Sequence, residues 1–129
     1  MKYLTLKNLA FIHSAVLEVS GGSDGIRNPG ALESVVGQPQ QAVFGKELYP
    51  SLFLKAAVYM RNIIAHHPFV DGNKRTGTLA AFTFLEYNGH RVTATDNAVF
   101  TFAVRVAEDK TELDEIAQWL EKHSVSGTS

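Results

Sequence analysis

The densest group of chemically active side chains in this 129-residue chain lies between residues 66 and 76. The segment reads HHPFVDGNKRT and combines two histidines, an aspartate, a glycine and two cations. An imidazole with an unperturbed pKa of about 6.5 accepts a proton near neutral pH, so His67 is a candidate general base. The carboxylate of Asp71 is a candidate ligand for Mg²⁺, which takes one or two carboxylates and completes its shell with phosphate oxygens and water.

Residues 72–75 have the composition of a phosphate-binding turn. Gly72 allows close approach of the backbone, and a helix that begins at Asn73 presents unpaired N–H groups where the helix dipole also favours anions. Lys74 adds a point charge and Arg75 a planar, bidentate donor. Two cations in a first helical turn oppose the dipole unless an anion is bound, so ligand binding is favoured over a solvated charge pair. For Asn73, a role as a helix cap explains the residue as well as ligand binding does.

The other residues of this segment, and the other histidines, have simpler interpretations. Phe69 is predicted to be a core anchor, and His66 a helix-end residue without a chemical role. His66 and His67 would diverge by about 100° on a helix, which makes a poor zinc pair. No Walker A, dinucleotide-binding, zinc-protease or nucleophile-elbow pattern occurs. The remaining histidines are predicted to be structural or solvent-facing: His13, His90 and His123.

Composition restricts the classes of function. A hydrophobic content of 45% can bury a core, and a net charge of −1 does not favour a general nucleic-acid or anionic-membrane binder. The absence of cysteine excludes disulfides, thiolate metal sites and a cysteine nucleophile, and it fits a reducing cytoplasm. The N-terminus lacks the pattern of a signal peptide, and charges interrupt every apolar stretch short of a membrane span. We therefore expect one soluble, cytoplasmic domain.

Two broadly apolar helices are predicted to position the reactive segment. The first has Ser51 as its cap and runs to about His66, and the second runs from Asn73 to Asn88 before the stop signal Gly89. Both carry apolar residues on more than one face, which predicts that they are central and largely buried. The polar loop between them is thus held by the core.

Weaker signals describe the rest of the chain. Thr5 is expected to cap a first helix that ends at Gly21, and Asn28 to cap a short one that reaches about residue 36. The stretch 99–106 fits either a strand or a helix, and a last helix is expected from a Thr111 cap to about residue 123. Residues 1–123 are predicted to form a single, mainly α domain, and residues 124–129 a flexible C-terminal tail.

The segment 67–75, HPFVDGNKR, resembles the signature of the Fic/Doc family. Fic-type enzymes read H-P-F-x-[DE]-G-N-G-R, whereas the Doc (death on curing) branch reads H-x-F-x-[DN]-[AG]-N-K-R. The resemblance extends over nearly the whole chain, including the Gly-Gly loop with Gly25-Ile26-Arg27 and the Leu32-Glu33-Ser34 helix. It indicates a Doc-type toxin of a toxin–antitoxin module, folded as a compact helical bundle with the signature loop between two central helices.

The resemblance implies a role for each residue of this signature segment. His67 would be the general base on a target hydroxyl, and Asp71 the Mg²⁺ ligand. Gly72, Asn73 and Lys74 would form the anion-binding turn, and Arg75 would hold the phosphates of ATP. Lys74 replaces the second glycine of Fic enzymes, and Doc-type members are thought to bind the nucleotide in reverse and to transfer the γ-phosphoryl group instead of AMP.

Three functions stay open at this point. The first is a protein kinase-like toxin that modifies a Ser or Thr hydroxyl of a host translation factor, with elongation factor Tu as the best-known target in the family. The second is a Fic-like AMP transferase that uses the same base. The third is a catalytically silent module that binds a phosphorylated or acidic partner. The resemblance also implies a cognate antitoxin, with the loop 21–30 as a candidate edge for antitoxin or target; nucleic acid and membrane are not expected partners.

Overall fold

A computed structural model describes residues 1–109 and 111–127 of the chain. This part folds into six α-helices with short antiparallel strand pairs and one 3₁₀ turn, which confirms the mainly α prediction. None of the described helices is long and apolar enough to cross a membrane. The helices are α1 (Leu6–Ser20), α2 (Pro29–Gly37), α3 (Leu52–His66), α4 (Asn73–Tyr87), α5 (Asp96–Asp109) and α6 (Leu113–Lys122).

Helices α3 and α4 form the centre of the bundle. Nine residues of α3 and eight of α4 are buried, and α3 also packs against α6. The two central helices approach closely at Gly77, where an added Cβ would lie 3.0 Å from the backbone oxygen of Met60 and 3.0 Å from the Ile64 side chain. A side chain at position 77 would therefore force the two helices apart.

The helix starts predicted in the first half of the chain are confirmed. The Thr5 hydroxyl accepts a hydrogen bond from the Asn8 backbone N–H, and the Asn8 side chain accepts one from the N–H of Thr5. Asn28 and Ser51 each accept a bond from the N–H three residues later. These caps satisfy backbone donors that a helix start otherwise leaves unpaired.

The ambiguous stretch 99–106 lies within α5. Phe102, Ala103 and Val106 are buried, whereas Phe100 is 60% exposed. A strand would place Phe100 and Phe102 on the same face, so the observed burial follows the helical period instead. The Phe102 ring stacks on Trp119 of α6 with their centroids 3.9 Å apart. This contact joins α5 to α6.

Two expectations for the C-terminal part are wrong. Thr111 does not cap α6: Glu112 occupies the N-cap position without a side-chain bond, and the Thr111 hydroxyl instead donates to the Arg105 carbonyl at 3.3 Å. Residues 124–126 are not part of a flexible tail, because they form strand β4 (Ser124–Ser126), which pairs with β3 (His90–Val92). Thr128 and Ser129 of the predicted tail lie outside the described residues.

A small hairpin lies between α2 and α3. Its strands β1 (Ala42–Val43) and β2 (Lys46–Glu47) are joined by Phe44 and Gly45, both at positive φ, as a two-residue type I′ turn requires. Lys55 of α3 is fully buried, and its ammonium group donates to the Glu47 carboxylate at 2.9 Å and to the Pro39 carbonyl at 3.0 Å. This buried cation attaches the hairpin to the central helix.

Tyr59 is a second polar group inside α3. Its hydroxyl accepts a hydrogen bond from the Leu4 N–H at 2.9 Å, which joins the N-terminal segment to the core. Burial disfavours the phenolate and raises the pKa of Tyr59 to about 12. The hydroxyl therefore stays neutral throughout the physiological range of pH.

Candidate active site

The signature segment connects the C-terminal end of α3 to the N-terminal end of α4. His67 follows the last residue of α3 in the left-handed conformation, with φ 48°, and its N–H bonds to the Ile63 carbonyl. Gly72 precedes the first residue of α4, also at positive φ, where glycine has no Cβ penalty. The chain thus makes a sharp turn that brings His67 close to the start of α4.

A side-chain amide holds the interior of this turn together. Asn73 is buried; its Oδ1 accepts from the Phe69 N–H at 3.0 Å, and its Nδ2 donates to the Phe69 carbonyl at 2.9 Å. The same Nδ2 lies 3.5 Å from Nδ1 of His67, a contact too long to fix the tautomer of the imidazole. The Asn73 side chain is therefore committed to the loop, and only its backbone N–H is free for a ligand.

The predicted core anchor Phe69 is confirmed. Its side chain is 2% exposed, and its ring lies parallel to the ring of His13 from α1 with their centroids 3.9 Å apart. The bulk of this side chain keeps the turn attached to the core.

The start of α4 carries no cap. Gly72 has no side chain, and among the described residues the backbone N–H groups of positions 72–75 have no acceptor. Four converging donors at the positive end of a helix dipole form the environment that binds phosphate in other proteins. The exposed side chains of Lys74 and Arg75 add positive charge beside them.

All six residues predicted for the site border one cavity of about 560 Å³. They are His67, Asp71, Gly72, Asn73, Lys74 and Arg75. His67 and Asp71 thus line one open space together with the uncapped helix end. The ammonium group of Lys74 lies 6.0 Å from the centroid of the exposed Phe100 ring on α5, at the limit of a cation–π contact.

Asp71 is the acidic residue of this cavity. Its Oδ2 accepts a hydrogen bond from the Ser23 N–H at 2.8 Å. Within residues 1–109 and 111–127, no group of three or more His, Asp or Glu side chains comes together that could hold a metal. A single carboxylate such as that of Asp71 could hold Mg²⁺ if phosphate oxygens and water completed the shell of the ion.

The loop 21–30 packs against the signature segment. Ile26 forms an antiparallel bridge with Phe69, and the Pro68 carbonyl accepts from the N–H groups of Arg27 and Asn28 at 2.8 and 3.0 Å. The Arg27 guanidinium donates from Nε to the His67 carbonyl and from Nη2 to the His66 carbonyl, both at 2.8 Å. The backbone of this loop is therefore part of the site's framework.

Sequence reasoning missed the contributions of His13 and Arg27. His13 is buried and its Nε2 lies 2.8 Å from the Asp71 carbonyl, whereas the sequence indicated only a structural or solvent-facing histidine. A polar signal was present, since His13 occupies the apolar face of α1 and a buried imidazole needs a hydrogen-bond partner. Arg27 gave no comparable signal, because its partners are backbone carbonyls 39 and 40 residues away.

Comparison with known proteins tests the family resemblance of the signature segment. Residues 3–85, more than half of the chain and the part that contains the cavity's polar residues, match the Fic/DOC family. The chain belongs to the Fic/Doc family. This membership confirms the family that the signature segment indicated.

Two relatives carry names from the Doc branch of this family. The protein "Toxin Doc" of Mycolicibacterium smegmatis is 43% identical over 74 residues, which cover 57% of this chain and 57% of the relative. The "Protein kinase doc" of Escherichia phage P1 is 34% identical over 92 residues, 71% of this chain and 72% of the relative. The chain thus spans little more than half the length of the first relative and almost three quarters of the second.

Proposed function

We propose that this protein is a Doc-type toxin that transfers the γ-phosphoryl group of ATP to a Ser or Thr hydroxyl of a host protein. The observation that carries the proposal is the uncapped start of α4, whose N–H groups share one cavity with His67, Asp71 and two cations. Phosphoryl transfer depends mostly on positioning and on charge neutralisation, and this cavity supplies both. The name of the phage relative, a protein kinase, supports the same reaction.

In the proposed reaction the oxygen of the target hydroxyl attacks the γ-phosphorus of ATP. A new oxygen–phosphorus bond forms, the bond from the γ-phosphorus to the bridging β–γ oxygen breaks, and ADP leaves. His67 takes the proton of the hydroxyl, for which its exposed position at the end of α3 is suited. The N–H groups of residues 72–75 and the side chains of Lys74 and Arg75 would hold the phosphates. Asp71 would hold Mg²⁺, which neutralises phosphate charge when bound.

The proposed partners follow from the family and from the name "Toxin Doc". They are a cognate antitoxin, which would hold the toxin inactive, and a host translation factor, with elongation factor Tu as the first candidate to test. Growth arrest on induction, relieved by the antitoxin, is the expected cellular behaviour.

The decisive experiment compares two positions of the radioactive label in ATP. The purified protein is incubated with Mg²⁺, a cell extract and either γ-labelled or α-labelled ATP. Label transferred only from the γ-position establishes phosphoryl transfer, whereas label from the α-position identifies AMP transfer. Removal of Mg²⁺ by a chelator should abolish the reaction. ATP binding without transfer from either position would contradict the proposal and favour a binding module.

Lys74 distinguishes the two transfer reactions. If its side chain blocks the AMP-transfer orientation of ATP, Lys74→Gly should lose γ-phosphoryl transfer and yield a trace of AMP transfer. If it acts only as a counter-charge, Lys74→Arg should keep much of the activity and Lys74→Gly should only weaken ATP binding. Unchanged phosphoryl transfer in Lys74→Gly would contradict both roles and assign phosphate recognition to Arg75 and the helix start.

A further inference from the structure

His13 of α1 contacts the signature segment from the core side. Its side chain is 3% exposed, and its Nε2 lies 2.8 Å from the backbone carbonyl oxygen of Asp71. A carbonyl oxygen can only accept a hydrogen bond, so Nε2 must carry the hydrogen and donate it. The imidazole is therefore a buried donor directed at one peptide group of the active-site loop.

The ring has little freedom to leave this position. One face stacks on Phe69, with an interplanar angle of 7°, and Phe69 is itself fixed by the two hydrogen bonds to Asn73. At the other ring nitrogen, Nδ1, the Asp24 carboxylate approaches to 4.0 Å. The donor Nε2 is thus held at a defined point next to the loop.

The bond to the Asp71 carbonyl also orients the N–H of Gly72. In a planar trans peptide the C=O and N–H groups point in opposite directions. Because the Asp71 carbonyl points at His13, the Gly72 N–H points away from α1, and Gly72 borders the cavity. This N–H is the first of the four unpaired donors at the start of α4.

The opposite orientation of this peptide would oppose phosphate binding. Gly72, at φ 79°, lacks the Cβ that restricts other residues, so rotation of the Asp71–Gly72 peptide meets little steric resistance from Gly72. Rotation would direct the carbonyl oxygen, with its partial negative charge, away from His13 and remove one donor from the anion site. The hydrogen bond from His13 to the Asp71 carbonyl opposes this rotation.

We propose that His13 is a positioning residue that keeps the Asp71–Gly72 peptide in the orientation that binds phosphate. The inference rests on the proposed function, because the ligand in question is the phosphate chain of ATP. It assigns to a buried histidine outside the signature segment a specific effect on affinity for anions.

Two substitutions separate hydrogen bonding from packing. His13→Phe keeps an aromatic ring on Phe69 but has no donor, whereas His13→Gln keeps an N–H donor near the position of Nε2 but loses the stacked ring. We expect His13→Phe to weaken ATP binding about tenfold, the equivalent of one hydrogen bond, and His13→Gln to bind within about threefold of the wild type. The reverse order of affinities would show that packing is the role of His13 and would overturn the proposal.

An NMR titration with inorganic pyrophosphate tests the inference without any turnover. In the wild type and in His13→Gln, the backbone amide signals of residues 72–75 should shift on addition of pyrophosphate, whereas in His13→Phe the shift at Gly72 should be lost. Retention of the Gly72 shift in a folded His13→Phe would overturn the proposal. Failure of the proposed function is a distinct result: the wild type would transfer no phosphate to any protein, while its response to pyrophosphate would still report on His13.

Discussion

The signature segment joins two helix ends that differ in whether their backbone groups have hydrogen-bond partners. At the end of α3, the carbonyls of His66 and His67 accept from the Arg27 side chain, and the Pro68 carbonyl accepts from two N–H groups of the loop 21–30. At the start of α4, the N–H groups of residues 72–75 have no acceptor among the described residues, and Gly72 provides no cap. We call the end of α3 the closed end, because protein donors bind the carbonyls of residues 66–68, and the start of α4 the open end.

The difference indicates which end is prepared for a ligand. Helix ends without partners for their backbone groups cost free energy unless water or a ligand supplies them. The chain caps α1, α2 and α3 with side chains, whereas α4 and α6 both start without a side-chain cap. Of these two starts, the one at α4 borders the cavity. In the proposed function, the closed end holds the base in place and the open end binds the phosphates.

The largest expected effect is the loss of the proposed base at the closed end. His67→Ala should lower the rate of phosphoryl transfer by roughly 10²–10⁴-fold, the range for a general base, with ATP binding preserved. His66→Ala is the matched control, since His66 contributes only its backbone carbonyl to the contacts described and should keep its rate within about threefold. A His67→Ala variant as active as the wild type would show that the base is wrongly assigned.

A negative charge placed at the start of α4 tests the open end. Gly72→Asp brings a carboxylate next to the unpaired N–H groups, which should satisfy the helix dipole and repel phosphate, weakening ATP binding by about tenfold or more in calorimetry. Gly72→Ala is the steric control, because its Cβ makes the same contact with Val16, 3.3 Å from Cγ1, without the charge. Equal affinities for ATP in the two variants would contradict an anion site at this helix end.

Arg27 is expected to have a smaller effect, mainly on stability. Arg27→Ala leaves two carbonyls at the end of α3 without their donors, and we expect a loss of about 1–2 kcal/mol in the free energy of unfolding, measured by urea denaturation. Arg27→Lys should recover only part of this, since an ammonium group lacks the planar fork that reaches both carbonyls. Arg91→Ala, at an exposed position of β3, serves as the control. If Arg27→Ala is no less stable than Arg91→Ala, the closed end does not depend on Arg27.

The smallest expected effect is on stability at high pH and concerns Tyr59, which lies in the middle of α3, away from both helix ends. Because burial raises the pKa of Tyr59 to about 12, its stabilising contribution is complete below pH 10 and is lost as the pH rises towards 12. At pH 11 this loss should be about 1 kcal/mol. Tyr59→Phe, although less stable at neutral pH, should lose less stability between pH 10 and 12. Parallel stability profiles of the two proteins would show that Tyr59 titrates normally.

The sequence predicted the fold where apolar spacing and a helix start or stop signal agreed, whereas the predicted Thr111 cap of α6 is wrong. The boundaries of α3 and α4 follow from Ser51, Gly89 and the apolar residues between them. The strand β4 was missed because its pairing with β3 uses backbone groups, and the polar residues 124–126 resemble a tail in composition. The hairpin 42–47 was missed for a related reason: its turn places Phe44, a residue with low preference for positive φ, where asparagine or aspartate is usual.

The candidate site was predictable where its residues lie close together in the sequence and was not predictable where they lie far apart in the sequence. The signature segment placed the six predicted site residues within nine positions, and all six border one cavity. The contacts of His13 with Asp71 and of Arg27 with His67 join residues 58 and 40 positions apart, and no local pattern specifies such pairs. The role of Asn73 also needed the structure, because its buried amide bonds to the loop and not to solvent.

The buried Lys55 limits how related sequences can diverge. Loss of the Glu47 carboxylate would leave an uncompensated positive charge in the interior, and loss of Lys55 would leave the Pro39 carbonyl without its donor. Substitution at either position alone should therefore destabilise the fold, while a paired change to two apolar residues should be better tolerated. An alignment of Doc-type sequences should show positions 47 and 55 covarying, which would make the attachment of the hairpin to α3 visible in evolutionary variation.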